Sequence, residues 1–264
     1  MDLRSANSQN GMNGEAKPDE CHYISDADLV KIMKMREIIA KDDPAPKVAD
    51  DATLRRFLYA RESNVQHASE LYIKYRKWRQ TFVPHGCISE TVITNELKKN
   101  MVCMQGFDKK GRPIAVVILK RHKPCHKALE DTKRYFVYTF DKMASRTSSG
   151  QEKFTIIVDL EGWTYKHVDI RGYLALLEIL QNYYPERLGK LYFIHLPYIF
   201  WAAWNIVCPF VDKKTKQKVS IVENKDIRTT LLMDIDESQL PEIYGGKLPL
   251  VPVQDAVVPN LPAN

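Results

Sequence analysis

Between Lys190 and Asp212 lie 21 residues without a formal charge. On length alone such a run, at about 1.5 Å per helical residue, crosses a hydrocarbon core of roughly 30 Å. Pro197, Asn205 and Pro209 interrupt it, and His195 adds a polar ring. A proline inside a helix removes a backbone donor and clashes with the preceding turn, which argues against one straight spanning helix. The run divides into two elements instead. Residues 191–196 are too short and too sharply bounded for a helix and predict a buried strand. Residues 198–208 predict a helix that ends near Pro209.

That helix is apolar on nearly every side. At helical spacing Tyr198, Trp201, Trp204 and Cys208 share one face, and Ile199, Ala202, Ala203 and Ile206 share another. A surface helix carries one apolar stripe and one charged face. A helix apolar all round is either buried in the core, or is a movable lid with a hydrophobic cavity on one side and a greasy surface on the other. Composition leaves both open. Lys213, Lys214, Lys216 and Lys218 crowd the exit of the run. They are either a solvated loop or the basic rim of a surface that meets anionic lipid, where each cation near the membrane contributes about 1 kcal/mol.

The 264-residue chain carries a net charge of +6 and a pI near 8.9. No RNP-type sequence, zinc-finger spacing or Arg-rich helix accompanies that charge, so nucleic acid is not expected as a partner. Cys21, Cys87, Cys103, Cys125 and Cys208 are odd in number and never form C-x-x-C, which suits a reduced intracellular compartment. The N-terminus has no apolar signal core, so secretion is not expected.

Residues 1–22 are polar and predict a disordered tail. Ser25 and Asp28 open a helix with Leu29, Ile32, Met33, Arg36 and Ile39 on its packed side, broken at 42–46. A second helix runs from about Asp50 through Leu54, Phe57 and Leu58 to Ala60. Asn64 caps a third, with Val65, Ala68, Leu71, Tyr72, Tyr75 and Trp78 on one stripe. The second half alternates differently. Asp108 to Gly111 is a turn signal, residues 114–119 and 154–160 are buried strands, and 218–222 is a further strand. Residues 131–143 and 170–180 are helical. Strands alternating with helices predict an α/β fold with a mostly parallel sheet.

Catalytic signatures are missing. The chain has no G-x-S-x-G, no P-loop and no H-E-x-x-H, and no cysteine has Arg six positions on. His122, Cys125 and His126 lie close together, yet a zinc site needs four such ligands. Asp159 and Glu161 at a strand end fit caps or turns better than a catalytic pair. Binding, not bond-making, is the expected activity, with no cofactor and no metal.

Several stretches resemble the Sec14-like, CRAL-TRIO family of lipid-binding and phospholipid-transfer proteins. They are LRRFLYAR (54–61), KWR (77–79), GFDKKGRPI (106–114), IIVDLEGW (156–163), QNYYPERLGKLYFIHLP (181–197), CPFVDKKTKQKV (208–219) and LPEIYGG (240–246). The closest likeness is to short plant-type members. The resemblance implies a helical N-terminal subdomain over residues 23–85, a lipid-binding lobe over 90–250 and a C-terminal tail over 251–264. The lobe would hold a mostly parallel sheet, flanking helices and an apolar gate helix, with Tyr198, Trp201, Trp204 and Ile206 as gate and membrane contacts.

In members that bind phosphatidylinositol, a Glu, a Thr and a Lys surround the inositol phosphate, and these map onto Glu186, Thr215 and Lys218. Glu186 with Arg187 as a structural ion pair, and Lys218 as a plain surface lysine, are the competing readings. Members that also take phosphatidylcholine carry Ser and Thr where this chain has Phe154 and Ile156. Those two apolar groups line the cavity, donate no hydrogen bond to a choline phosphate and leave inositol-lipid binding untouched. The resemblance thus implies a monomeric, non-enzymatic carrier of phosphatidylinositol. It would be cytoplasmic, visit an anionic membrane surface transiently and present lipid to kinases. Carriage of another hydrophobic ligand (sterol, tocopherol-like or fatty acid) and a lipid-sensing adaptor are the alternatives.

Overall fold

A computed structural model describes residues 24–42, 49–125, 128–148 and 150–257. The tail expected over 1–22, most of the break at 42–46 and His126 lie outside them. Three helices come first: α1 (Asp26–Asp42), α2 (Asp51–Tyr59) and α3 (Val65–Phe82). Asn64 is the cap that the sequence marks, and Asp50, expected as the first helical residue, caps the second helix instead. Asp50 accepts from the Thr53 amide at 2.6 Å and Asn64 from the His67 amide at 3.0 Å, satisfying donors that a helix start leaves unpaired. The packed face of α1 runs through Asp28, Ile32, Met35 and Ile39. Met33 points out, because the heptad-like spacing 28–32–35–39 wins over the 29–32–33–36 stripe. Asp28 is buried there because the Tyr59 hydroxyl donates to it at 2.7 Å. The three helices share a core around Met35, Phe57, Leu58 and Tyr72.

A single turn, α4 (Thr94–Leu97), leads into a five-stranded sheet in the order β1-β2-β3-β4-β5. Its strands are β1 (Val102–Phe107), β2 (Pro113–Ile118), β3 (Phe154–Asp159), β4 (Leu188–Ile194) and β5 (Val219–Ile221). β1 and β2 pair antiparallel, and every later neighbour is parallel. The hairpin turn is built on Asp108. Its carboxylate accepts from the Lys110 and Arg112 amides at 2.9 Å, from Arg112 Nε at 2.7 Å and from the Thr155 hydroxyl at 2.6 Å. The GFDKKGRPI stretch is therefore structural: a buried ion pair that locks the turn onto β3.

Strand order explains why a cavity forms where it does. β2 to β5 follow one another in space, and right-handed crossovers then put every connecting helix on one face of the sheet. That face receives α5 (Leu129–Ser145), α6 (Ile170–Tyr183), α7 (Phe200–Val207) and the short α8 (Lys213–Gln217). The opposite face needs another cover. It is supplied by α9 (Ile227–Asp234) and the chain beyond it, packing Leu231, Ile235, Leu240 and Tyr244 on Ile157, Tyr192 and Ile194. Gly246 is required in that cover, since a Cβ there would sit 2.1 Å from the Leu240 carbonyl oxygen.

Strand alternation sorts the side chains. In β3, Phe154, Ile156 and Val158 face the crossover helices, while Thr155, Ile157 and Asp159 face the other way. β4 starts at Leu188, earlier than the expected 191, because Leu188 and Lys190 already pair with β3. It stops at Ile194 because His195 takes the left-handed backbone conformation, φ 52°. The expected tail over 251–264 is partly a working element. The Met104 amide donates to Val251 O at 2.9 Å and the Val253 amide to Val102 O at 3.0 Å, which covers the edge of β1, and Val253 is buried.

Candidate functional site

A cavity of about 850 Å³ lies between the sheet and its crossover helices, toward the upper end of the range for small-molecule pockets. Ala115, Val117, Ile156, Val158 and Phe193 form its floor. Phe136, Phe140 and Met143 of α5, with Leu176, Leu177 and Leu180 of α6, form its walls. Phe200, Ala203, Trp204 and Val207 of α7 close it. Phe154 and Ile156 both line the cavity, Phe154 with the Arg187 guanidinium over its ring at 6.0 Å. Tyr173 of α6 also borders the space, and burial pushes its hydroxyl up to about 12, so it stays neutral there.

The structure divides the face on which Tyr198, Trp201 and Trp204 were expected together. Tyr198 is 95% exposed, Trp201 44% and Ile206 52%, and Phe210 beyond the helix is 58% exposed. Trp204 is turned inward. It stacks on Phe200 with ring centroids 5.9 Å apart and meets Phe193 edge-on at 5.6 Å. The physical reason is that i and i+3 differ by about 60° around the axis, enough to carry one indole over the rim of so narrow a helix. Trp201 thus stands outside and Trp204 inside. The inner side of α7 seats on Leu160, Trp163 and Phe193.

Among the described residues, charged side chains line the cavity only at its mouth, in residues 61–62, 186–187 and 212–218. Three elements bring them together: the α2–α3 turn, the entry to β4, and α8 before β5. Lys218 Nζ lies 3.5 Å from Glu186 Oε2, both partly buried. Glu186 holds φ 56°, so its side chain leaves a left-handed bend just before β4. Arg187 turns away and donates to Glu152 O at 2.8 Å; Glu186 pairs with Lys218. Thr215 stands at the same mouth, but its hydroxyl donates to Asp212 Oδ2 at 2.6 Å, while Asp212 Oδ1 caps α8 through the Thr215 amide at 2.8 Å. Partial burial pushes the Asp212 carboxyl up. The Thr215 and Lys214 hydrogen bonds and the Lys218 charge outweigh this and hold it below the usual carboxylate range.

Sequence reading placed Lys214 only in the basic cluster after the gate and assigned Arg61 no role of its own. Both line the mouth, and Lys214 Nζ donates to Tyr59 O at 3.3 Å, which joins the α8 side to the α2–α3 turn. Arg61 carries a usable signal, a cation directly after a helix end. Its distance in sequence from Lys218 hides that both line one mouth. Asp159, weighed above as a catalytic acid, is engaged structurally: Glu161 N, His195 Nδ1 and the Tyr244 hydroxyl contact it at 2.8, 2.9 and 2.7 Å. Among the described residues no group of three metal-ligating side chains gathers, and no helix is long and apolar enough to cross a membrane.

The CRAL/TRIO domain model matches residues 97–246. The Sec14 cytosolic factor of Schizosaccharomyces pombe is 32% identical over 215 residues, 75% of this chain and 74% of that protein. A phosphatidylinositol/phosphatidylcholine transfer protein of Arabidopsis thaliana, SFH7, is 28% identical over 243 residues, 84% of this chain and 44% of that protein. Among solved structures, the crystal structure of Sfh5 superposes with a TM-score of 0.69 at 20% identity, covering 91% of this chain and 94% of that one.

Proposed function

This chain is a member of the CRAL/TRIO domain family, and from that premise we propose that it binds phosphatidylinositol in the gated cavity and exchanges it between membranes. One observation carries the reading. The cavity is mostly apolar along the sheet and helices, and among the described residues its charged side chains are confined to one mouth. An amphiphile with hydrocarbon chains inside and a phosphorylated headgroup at Lys218 fits that division. Lys218 offsets the phosphate charge, and Glu186 positions the ammonium or accepts from inositol hydroxyls. Thr215 reaches the headgroup when its hydroxyl leaves Asp212. Phe154 and Ile156 offer no donor within the cavity, which favours inositol over choline lipids.

The gate follows from the energetics. A diacyl lipid buries on the order of 30 methylenes at about 0.8 kcal/mol each, so roughly 25 kcal/mol opposes its release into water. Exchange becomes feasible when a bilayer is traded for an equally apolar cavity at a docked, opened gate. Tyr198, Trp201, Ile206 and Phe210, exposed beside Lys213, Lys214 and Lys216, form the surface that meets an anionic membrane. No bond is made or broken, and the protein visits the membrane transiently from the cytoplasm.

Headgroup-resolved mass spectrometry of lipid co-purified from eukaryotic cells tests this for the wild type and Lys218→Ala. Phosphatidylinositol in the wild type, lost in the variant, is the expected result. A neutral ligand indifferent to Lys218 would overturn the assignment.

A further inference from the structure

The far end of the cavity holds a polar group that the headgroup mouth does not use. His122 follows the C-terminal end of β2 and lines the cavity, yet is only 3% exposed. Its Nε2 lies 3.0 Å from Asp169 Oδ2, and its Nδ1 is buried with no hydrogen-bond partner among the described residues. Asp169 is the N-cap of α6, and its Oδ1 accepts from the Gly172 amide at 2.9 Å. Glu186 lies beyond the other end of that 14-residue helix, about 20 Å away at 1.5 Å per residue. The two polar groups therefore occupy opposite ends of one apolar space.

A buried polar atom without a partner is rare and calls for a specific explanation. Here the chemistry narrows it. A carboxylate facing Nε2 accepts from an Nε2–H, and in the neutral ring this leaves Nδ1 as an acceptor. Only a donor satisfies it. Within a largely hydrocarbon-lined cavity, a hydroxyl is the simplest neutral donor that can arrive on an apolar chain.

We propose that His122, oriented by Asp169, is a hydrogen-bonding subsite at the end of the cavity opposite the headgroup mouth, and that it takes the hydroxyl of a hydroxylated hydrocarbon chain. The subsite rests on the cavity being a lipid site and is independent of which headgroup the mouth prefers. The hydroxyl belongs either to the distal end of a phospholipid acyl chain or to a free long-chain alcohol.

The full-length protein is equilibrated at pH 8 with vesicles carrying equal amounts of two lipids, and the bound ratio is read by mass spectrometry. One arm pairs phosphatidylinositol bearing a terminally hydroxylated chain with its plain counterpart. The other pairs 1-octadecanol with octadecane. The wild type enriches the hydroxylated partner about tenfold, equivalent to about 1.4 kcal/mol, and His122→Phe brings the ratio to about one. The ratio is internal to each sample, so a change in total loading does not affect it.

Asp169→Asn supplies a second test. The asparagine oxygen keeps the Gly172 amide, its NH2 then faces Nε2, and Nδ1 becomes the donor. A keto-bearing chain, not enriched by the wild type, is then enriched. Enrichment in the phosphatidylinositol arm places the hydroxyl on the acyl chain. Enrichment confined to the alcohol arm places it on a free alcohol, and that result stands even if Lys218→Ala disproves the inositol reading. No preference in the wild type, a preference that survives His122→Phe, or no keto enrichment in Asp169→Asn overturns the proposal.

Discussion

Asp212 shows how one carboxylate organises the mouth. It caps α8 and takes the Thr215 hydroxyl, and its folded-state pKa lies below the usual carboxylate range. The sign of the pH effect follows. A depressed carboxylate contributes stability that is present above its unfolded value and lost as pH falls through its folded value. Because the group is largely solvent-screened, the contribution is small. Lipid loading and the Thr215 amide shift, followed by NMR from pH 7 to 3, should both change below about pH 4. In Asp212→Ala the mouth should already be perturbed at pH 7 and the acid-side change should shrink. At this scale Asn64 was legible as a cap, because capping is a local matter of one side chain and the next amides, while Asp50 was read as the helix start that it caps. The Lys218–Glu186 pair was legible only through family resemblance, since 32 residues separate its partners. Arg61 was given no role and His122 was weighed only as a zinc ligand, because what each does depends on what faces it across the cavity.

The gate helix is the element on which sequence and structure differ most usefully. An all-round apolar pattern predicted the helix and left its two sides unassigned. Packing assigned them: Trp204 to Phe200 and Phe193, Trp201 to the outside. The two indoles should therefore behave differently. Trp201→Ala should slow phospholipid exchange between anionic vesicles while thermal stability changes by less than about 0.5 kcal/mol, as at an ordinary surface site. Trp204→Ala should lower stability by about 2–4 kcal/mol through lost packing, read as a fall in the urea midpoint. Equal effects of both on stability would remove the inside–outside distinction. Elsewhere β3 and α6 were legible from hydrophobic pattern, and the start of α3 from its Asn64 cap. β1 was not, because VCMQGF is buried on both faces for most of its length and shows no alternation. α9 was missed as well, eight residues with a weak apolar stripe that acquires meaning only against the second face of the sheet.

Across the whole molecule, the helical unit is fastened to the sheet by charge. Glu152, just before β3, binds Arg55 at 3.2 Å and also Arg56 of α2. Asp141 of α5 binds Arg79 of α3 at 2.8 Å and accepts from the Tyr184 hydroxyl at 2.7 Å. Burial, with Arg187 adding like charge, pulls the Arg56 guanidinium down to about 9, so its carboxylate partner matters. Glu152→Ala leaves two partly buried guanidiniums without that partner and should cost about 3 kcal/mol. Hydrogen exchange should accelerate in α2 and α3 first, and exchange uniform over the sheet as well would show that the contact does not join two units. Periodicity, capping residues and turn chemistry, all short-range, were enough to determine the α/β class, most helices and the splitting of the long uncharged run. Only the tertiary structure decided which side of each element meets the cavity, that residues 61, 186 and 218 share one mouth, and that His122 stands at the opposite end. Those facts depend on strand order and crossover hand, which bring distant segments together through contacts that no local pattern encodes.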